Sequence, residues 1–449
     1  MTSTTSTTNV PLSLAHVVDT PAHRDGNVLR WLAAYTASMT GDSVYYIALS
    51  WAAVQSGTPA QAGVVMSVSA LPRALLMLGG GVIADRLGPR RVVIGSDAVR
   101  CAAVLAVAAL LFLAAPGLWV LALLALVFGI VDAVFMPAVG ALPARVTSRG
   151  QLARVQGMRG LGIRFASVVG GPLGGLAVAV GGAAAAFAFA GVLIAISVPL
   201  LVSVRIRELP ADDREADGGT VGGEGGAEVA GVMGARDGKA GGKAVVGGAW
   251  DDLCVGLRYI RRHPVLAPLM LAIALGDLGF VGPLNVGLTL LAEERGWGAA
   301  GMGWVLGGFG VGAGCASLLL AVRGRVPHAG HVMVYACLGG AVAIGALAFV
   351  PGVVAAAGVA LLIGLLAGLS GALCGALLQT QADPAYLGRV TAVASLVSLG
   401  FAPLSMPLSA AAIGAWGTVP VFVTSAAVCG LGALVALCAR NLRRAELPT

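Results

Sequence analysis

Between residues 28 and 440 the chain is a succession of continuous apolar runs separated by short charged or glycine-rich turns. An apolar run of about 20 residues matches the hydrocarbon thickness of a bilayer when helical. In lipid, only helices and closed barrels satisfy every backbone donor and acceptor. The runs here do not alternate polar with apolar residues as barrel strands do, so helices are expected. Hydrophobic residues make up 58% of the chain and charged ones 11%, against about 25% charged in ordinary soluble domains. A water-soluble fold has no place for that much apolar surface.

Twelve spans are expected, near residues 28–55, 61–85, 91–114, 118–146, 152–180, 183–205, 263–292, 298–322, 330–350, 353–382, 386–413 and 418–440. With both termini in the cytoplasm, almost every arginine outside the spans falls on the inner side and only Arg295 on an outer loop, which is the positive-inside pattern. The formal charge of +7 then reflects topology, with bases set against an anionic leaflet, and implies no nucleic-acid partner. The seven scattered cysteines include no CxxC pair and are expected to pack as small residues. No metal site is expected. The polar N-terminal segment lacks the apolar core of a cleaved signal peptide.

Residues 206–249 form one long polar break, rich in Gly-Gly pairs and mixed charges, a composition that cannot bury a core. The expected organisation is a cytoplasmic tail (1–27), a six-helix bundle (28–205), a flexible linker with the lead-in to the seventh helix (206–262), a second six-helix bundle (263–440) and a short tail (441–449). A trace of internal repetition supports the two halves. Gly41-Asp42 follows Arg30 by about 12 residues and Gly276-Asp277 follows Arg262 by about 14; at about 1.5 Å per residue both acids lie roughly 20 Å up their helices.

Ionised side chains inside a bilayer are costly and mark function by default. Asp42, Arg73, Asp132, Arg164 and Asp277 fall deep in the spans. Two readings stay open. In one, Asp42 pairs with Arg73 and Asp132 with Arg164, and the pairs only fix helix packing. In the other, an acid exchanges a proton during the working cycle, since poor solvation favours the neutral carboxyl and a nearby guanidinium favours the carboxylate. Asp277 has no arginine candidate in its own helix and is the first choice for proton carrier, followed by Asp42 and Asp132; failing that, it is expected to hydrogen-bond a neighbour such as Asn285.

Residues 79–91 read Gly-Gly-Gly-Val-Ile-Ala-Asp-Arg-Leu-Gly-Pro-Arg-Arg. This resembles the signature loop between helices 2 and 3 of the major facilitator superfamily, Gly-x-Leu-Ala-Asp-Arg-x-Gly-Arg/Lys-Arg/Lys. The matching positions are Gly81, Ile83, Ala84, Asp85, Arg86, Gly88, Arg90 and Arg91, with Ile for Leu and Pro89 inserted. The resemblance implies an all-α integral membrane fold of two pseudo-symmetric six-helix bundles, and a latch between the halves at Asp85 and Arg86. Asp97 and Arg100 are close enough in sequence to join that latch.

Gly171, Pro172, Gly174 and Gly175 resemble the antiporter motif Gly-Pro-x-x-Gly-Gly with one residue fewer, which favours export by proton exchange. The stretches 135–146, 256–264 and 379–390 look like the bacterial branch of macrolide, siderophore and multidrug exporters. Arginine-dominated base usage, with lysine only at Lys239 and Lys243, suggests a high-GC bacterium and its inner membrane.

The chain has four asparagines and few deep glutamines, too few amides for a sugar carrier. Apolar walls with a few acids suit small amphiphilic compounds, with Tyr45, Tyr46, Trp51, Phe135, Asn285 and Gln379 as candidate cavity residues. The leading expectation is a proton-coupled exporter of drugs, antibiotics or secondary metabolites. It needs no cofactor beyond the proton gradient, and a monomer suffices. A siderophore or lipid exporter and an uncoupled facilitator are the alternatives. A membrane-embedded sensor or enzyme has less support, since the five histidines all fall in loops or at helix ends and no phosphate-binding loop is present.

Overall fold

The computed structural model describes residues 23–114, 117–147, 151–206, 254–323, 326–383 and 386–446, and every regular element among them is helical. The first half contains α1 (Gly26–Ser56), α2 (Pro59–Leu87), α3 (Pro89–Leu113) and α4 (Leu118–Val146). The Leu152–Ser203 segment then breaks at Gly181 and Gly182 into α5 (152–180) and α6 (183–203). A connecting helix over residues 254–262 leads into the second half. That half contains α7 (Leu266–Glu294), α8 (Gly298–Arg323), α9 (Ala329–Leu347), α10 (Val353–Gln381), α11 (Leu387–Trp416) and α12 (Thr418–Cys438).

These helices coincide with the expected spans to within a few residues. Among the described residues nine helical segments are long and apolar enough to cross a bilayer, and the one over Arg154–Ser203 serves as both α5 and α6. α1 is more polar, carrying Ser38, Thr40, Asp42, Ser43 and Ser50. Of the expected linker, residues 207–253 lie outside the described residues; its last nine residues, 254–262, are helical. α7 starts at Leu266 because the His263 Nδ1 accepts the Val265 and Leu266 N–H groups at 3.3 and 3.2 Å, satisfying donors that a helix start leaves open. Burial lowers the pKa of this imidazole.

An even number of spans returns both described ends to one face, called proximal here; the opposite face is distal. The Asn27 side chain joins the ends of the first half on the proximal face, donating to Arg205 O and accepting from Arg205 N, both at 2.7 Å. The two halves meet along two seams, α2 with α11 and α5 with α8. Each helix of one seam is six positions from a helix of the other, as two-fold related bundles require.

The core is not symmetric between the faces. On the distal side one apolar cluster runs through both halves, from Val44 and Leu49 in α1 to Leu291 in α7 and Phe422 in α12. On the proximal side it divides into two clusters, one confined to the first half around Trp31 and Phe135 and one to the second around Leu266 and Met333. Hydrogen bonds between the halves follow the same division. Ser50 Oγ meets Thr289 Oγ1, and Gln55 Nε2 donates to Glu293 Oε1 at 3.0 Å. Among the described residues the two halves are joined distally and separated proximally.

The α5–α8 seam depends on close backbone approach. A Cβ on Gly171 would lie 3.0 Å from Gly303 O, one on Gly303 would lie 2.6 Å from Gly171 O, and one on Gly307 would strike the Pro172 ring at 2.7 Å. Small residues permit such packing where lipid supplies no hydrophobic force between helices. α7 is deformed where it meets α11. Ser405 Oγ accepts the Gly282 N–H at 2.9 Å and donates to Leu278 O at 2.8 Å, so a side chain stands between the two groups that would otherwise bond within the helix. A five-residue π segment follows at Pro283–Gly287, as expected when the ladder is interrupted and proline withholds a donor.

Gly303→Val is expected to wedge α5 from α8 and weaken distal closure. Cysteines at positions 55 and 293, in a chain stripped of native cysteine, should crosslink efficiently with a short bis-maleimide, and the yield should fall several-fold when Gly303→Val is added. An unchanged yield would mean that the glycine seam does not hold the distal side shut.

Candidate functional site

Arg100, in the middle of α3, is completely buried. Its Nη1 donates to Asp42 Oδ2 of α1 at 2.6 Å and to Asp132 Oδ1 of α4 at 3.3 Å. Its Nη2 donates to Asp97 Oδ1, one turn back on α3, and to Ser38 Oγ of α1 at 3.1 Å. Asp97 also accepts from Ser38 Oγ at 3.0 Å and from Ser197 Oγ of α6. The Phe135 ring lies 4.1 Å from the guanidinium carbon, adding a cation–π contact. Helical spacing produces the arrangement: Ser38 and Asp42, Asp97 and Arg100, and Asp132 and Phe135 stand three or four residues apart, so each pair shares a face.

Asp42 and Asp132 also face a cavity of about 150 Å³, lined with them by Tyr46, Arg73, Met136 and Ser167. The Asp42 Oδ1 atom is buried without a partner while its Oδ2 holds Arg100. The charged groups of the chamber wall, Asp42, Asp132 and Arg73, thus join Arg100 and Asp97 in one cluster of three carboxylates and two guanidiniums. With all groups ionised it carries one negative charge in excess.

The expected pairings give way to this arrangement. Arg100 takes both Asp42 and Asp132, whereas Arg73 lies in the cavity wall beside Tyr46. Arg164, partly exposed on α5, forms no ion pair among the described residues. Asp97 and Arg100, expected to extend the signature loop, belong to the mid-span cluster instead; Arg100 lies 11 residues into α3, about 16 Å along the helix.

In the signature loop, Gly81 lies within α2, and the Asp85 side chain lies outside the described residues. Arg86 and Arg91 are exposed. Gly88 turns α2 into α3 at φ 85, a conformation that favours glycine. Arg90 donates to Leu201 O and Val202 O at the end of α6, where the helix leaves carbonyls open and favours a cation. In the antiporter-like motif, Gly171 and Gly175 face α8, Pro172 touches the Gly307 position, and Gly174 faces Ile47 of α1.

Of the candidate cavity residues, Tyr46 lines the chamber. Tyr45 is buried in a stack on Phe128 with ring centroids 3.6 Å apart, and Trp51 packs against the distal core. Phe135 covers Arg100. Asn285 donates to Val281 O at 2.8 Å, and Gln379 is exposed. Asp277 accepts from Ser398 Oγ of α11 at 2.5 Å rather than from Asn285. The hydroxyls Ser38, Ser197, Ser398 and Ser405 do not stand out in the sequence. Their signal is faint: a serine in an apolar span usually bonds its own helix, and only Ser38, four residues before Asp42, hints at a shared face.

The Major Facilitator Superfamily profile matches residues 31–402. The chain belongs to this superfamily. It is accordingly a secondary transporter that works by alternating access, embedded in a membrane and acting on small molecules. Solved structures of the same fold include a bacterial homologue of the human lysosomal transporter Spinster, inward-facing and occupied (TM-score 0.68, 12% identity, 93% of this chain and 98% of that one). The nucleoside transporter NupG is similar over 94% of this chain and 100% of that one (TM-score 0.63, 12% identity). A POT family transporter in complex with 5-aminolevulinic acid is similar over 91% and 95% (TM-score 0.64, 12% identity). No curated protein sequence matches the chain.

Arg100→Met is expected to leave three carboxylates without their shared cation and to destabilise the protein by about 3–5 kcal/mol. Thermal unfolding in detergent should show a clearly lowered midpoint, partly recovered when Asp97→Asn is added to remove one of the stranded charges. An unshifted midpoint for Arg100→Met would contradict the central place given to this guanidinium.

Proposed function

We propose that this transporter exports small amphiphilic compounds, drugs or secondary metabolites among them, in exchange for protons, and that the Asp42–Asp132 chamber carries the exchanged proton. The observation behind this reading is the charge imbalance: the chamber wall and the ion-pair cluster joined to it hold three carboxylates and two guanidiniums, and one carboxylate oxygen, Asp42 Oδ1, is buried without a partner beside the cavity. A surplus charge out of water is costly, and either a proton or the cationic group of a substrate removes it. Two ligands that neutralise one site exclude each other, and mutual exclusion at a site open to one face at a time is what exchange requires.

Asp277 is reassigned within this scheme. Its partner in the structure is a hydroxyl donor, and it stands beside the interrupted stretch of α7, so it serves the second half as a hydrogen-bond acceptor that ties α7 to α11. The distally closed form is read as inward-facing, with both termini in the cytoplasm of a bacterium and the chain in its plasma membrane; the arginine distribution supports this orientation. Membership of the macrolide, siderophore and multidrug exporter branch rests on the stretches 135–146, 256–264 and 379–390. The protein acts as a monomer with the proton gradient as its only energy source.

In proteoliposomes carrying an internal pH dye, lipophilic cations should drive proton movement through the wild type. Asp42→Asn and Asp132→Asn should lose at least about tenfold of that coupled flux, while Asp277→Asn keeps most of it. Transport without proton movement in the wild type would make the protein a facilitator. Loss confined to Asp277→Asn would move the proton site to the second half.

A further inference from the structure

Among the described residues, the connecting helix over residues 254–262 is held to the second half by one flank. Ile260 is buried at 2% exposure, and the Tyr259 ring stacks on Tyr386 with centroids 4.4 Å apart and planes 1° from parallel. Tyr259 Oη accepts the Asp383 N–H at 3.1 Å, and Gly256 lies so close to Arg389 that a Cβ there would stand 3.1 Å from its backbone oxygen. With the His263 cap beneath it, the helix has a fixed orientation.

Among the described residues nothing covers its other flank. Cys254, Leu257, Arg258, Arg261 and Arg262 line a concavity of about 490 Å³, their spacing placing them on one helical face. All three arginines are exposed, and none forms an ion pair among the described residues. Leu257 and Val255 are exposed beside them, at 49% and 37%. The apolar span of α7 begins at Leu266, only four residues beyond Arg262, so this face stands on the proximal side where lipid phosphates lie. Guanidinium groups bind phosphate oxygens with paired hydrogen bonds. Arginine heads over exposed aliphatic surface describe an interfacial helix, not a nucleic-acid or peptide groove.

We propose that this face is a binding site for an anionic glycerophospholipid of the proximal leaflet, with Arg258, Arg261 and Arg262 on the headgroup phosphate and Leu257 against the glycerol and upper acyl chains. A lipid held there ties the start of α7, and with it the second half, to the bilayer surface. The site is independent of what the transporter carries.

The test is native mass spectrometry of the full chain, released from nanodiscs containing equal amounts of phosphatidylglycerol and phosphatidylcholine with identical acyl chains. The wild type should retain the anionic lipid preferentially. Substituting Arg258→Gln, Arg261→Gln and Arg262→Gln should weaken its apparent affinity by about fivefold per arginine removed, while the corresponding lysine variant keeps the preference and shows that folding is intact. Retention of phosphatidylglycerol by the glutamine variant at the wild-type level overturns the proposal. So does displacement of the lipid by millimolar inorganic phosphate, which would make the site one for free phosphate.

Discussion

The shared guanidinium of Arg100 is the interaction on which the first half depends. It gathers Asp42, Asp97 and Asp132 from three helices, and Ser197 attaches a fourth through Asp97. Removing one partner of a buried ion pair is strongly destabilising because the other charge is stranded. Here one cation serves three anions, so the cluster is satisfied only if some of the surplus charge is neutralised otherwise. Arg73, in the cavity wall with Asp42 and Asp132, supplies part of it. The remainder is where a proton or a cationic substrate acts, and the same residues that hold α1, α3, α4 and α6 together thereby acquire a second, ligand-dependent state.

That chemistry reaches the whole molecule through α1. The helix carries Asp42 and Ser38 at its middle and Ser50 and Gln55 at its distal end, and the latter pair touches Thr289 and Glu293 of α7. α5 lies against α1 through Gly174 and against α8 through Gly171 and Gly175. A change of charge at Asp42 therefore acts on a helix that takes part in distal closure, over a seam whose glycines leave little slack. In the second half, Ser398 and Ser405 stand two turns apart on α11 and grip α7 at Asp277 and at the interrupted ladder. The two halves are built to the same plan but carry different chemistry: one has a charge cluster, the other a hydroxyl-gripped hinge.

Most of the architecture is legible in the sequence. Continuous apolar runs mark the spans, and the Gly88 turn and Gly-Pro pattern of α5 mark positions that the structure uses. Asp42 and Asp132 are legible as mid-depth acids, but their partner is not. Nearness in sequence to Arg90 and Arg91 points Arg100 to the loop, although its depth along α3 matches that of Asp42. Asp97 and Arg100, three residues apart in an apolar span, are themselves the available signal. Helix rotation is the other obstacle. When a helix is apolar on all sides, its sequence does not say which face meets its neighbours, and so Tyr45 and Phe135 cannot be told from Tyr46. Ser398 and Ser405 are hidden for the same reason.

The most direct measurement is infrared difference spectroscopy of substrate binding to the purified protein, with proton release followed in weakly buffered solution. If the Asp42–Asp132 chamber exchanges a proton for a cationic ligand, binding should remove a protonated-carboxyl band and release about one proton per protein, and both signals should disappear in Asp42→Asn. A substrate that binds the wild type with neither signal, or with both signals intact in Asp42→Asn, would contradict the assignment of the exchangeable proton to the Arg100 cluster.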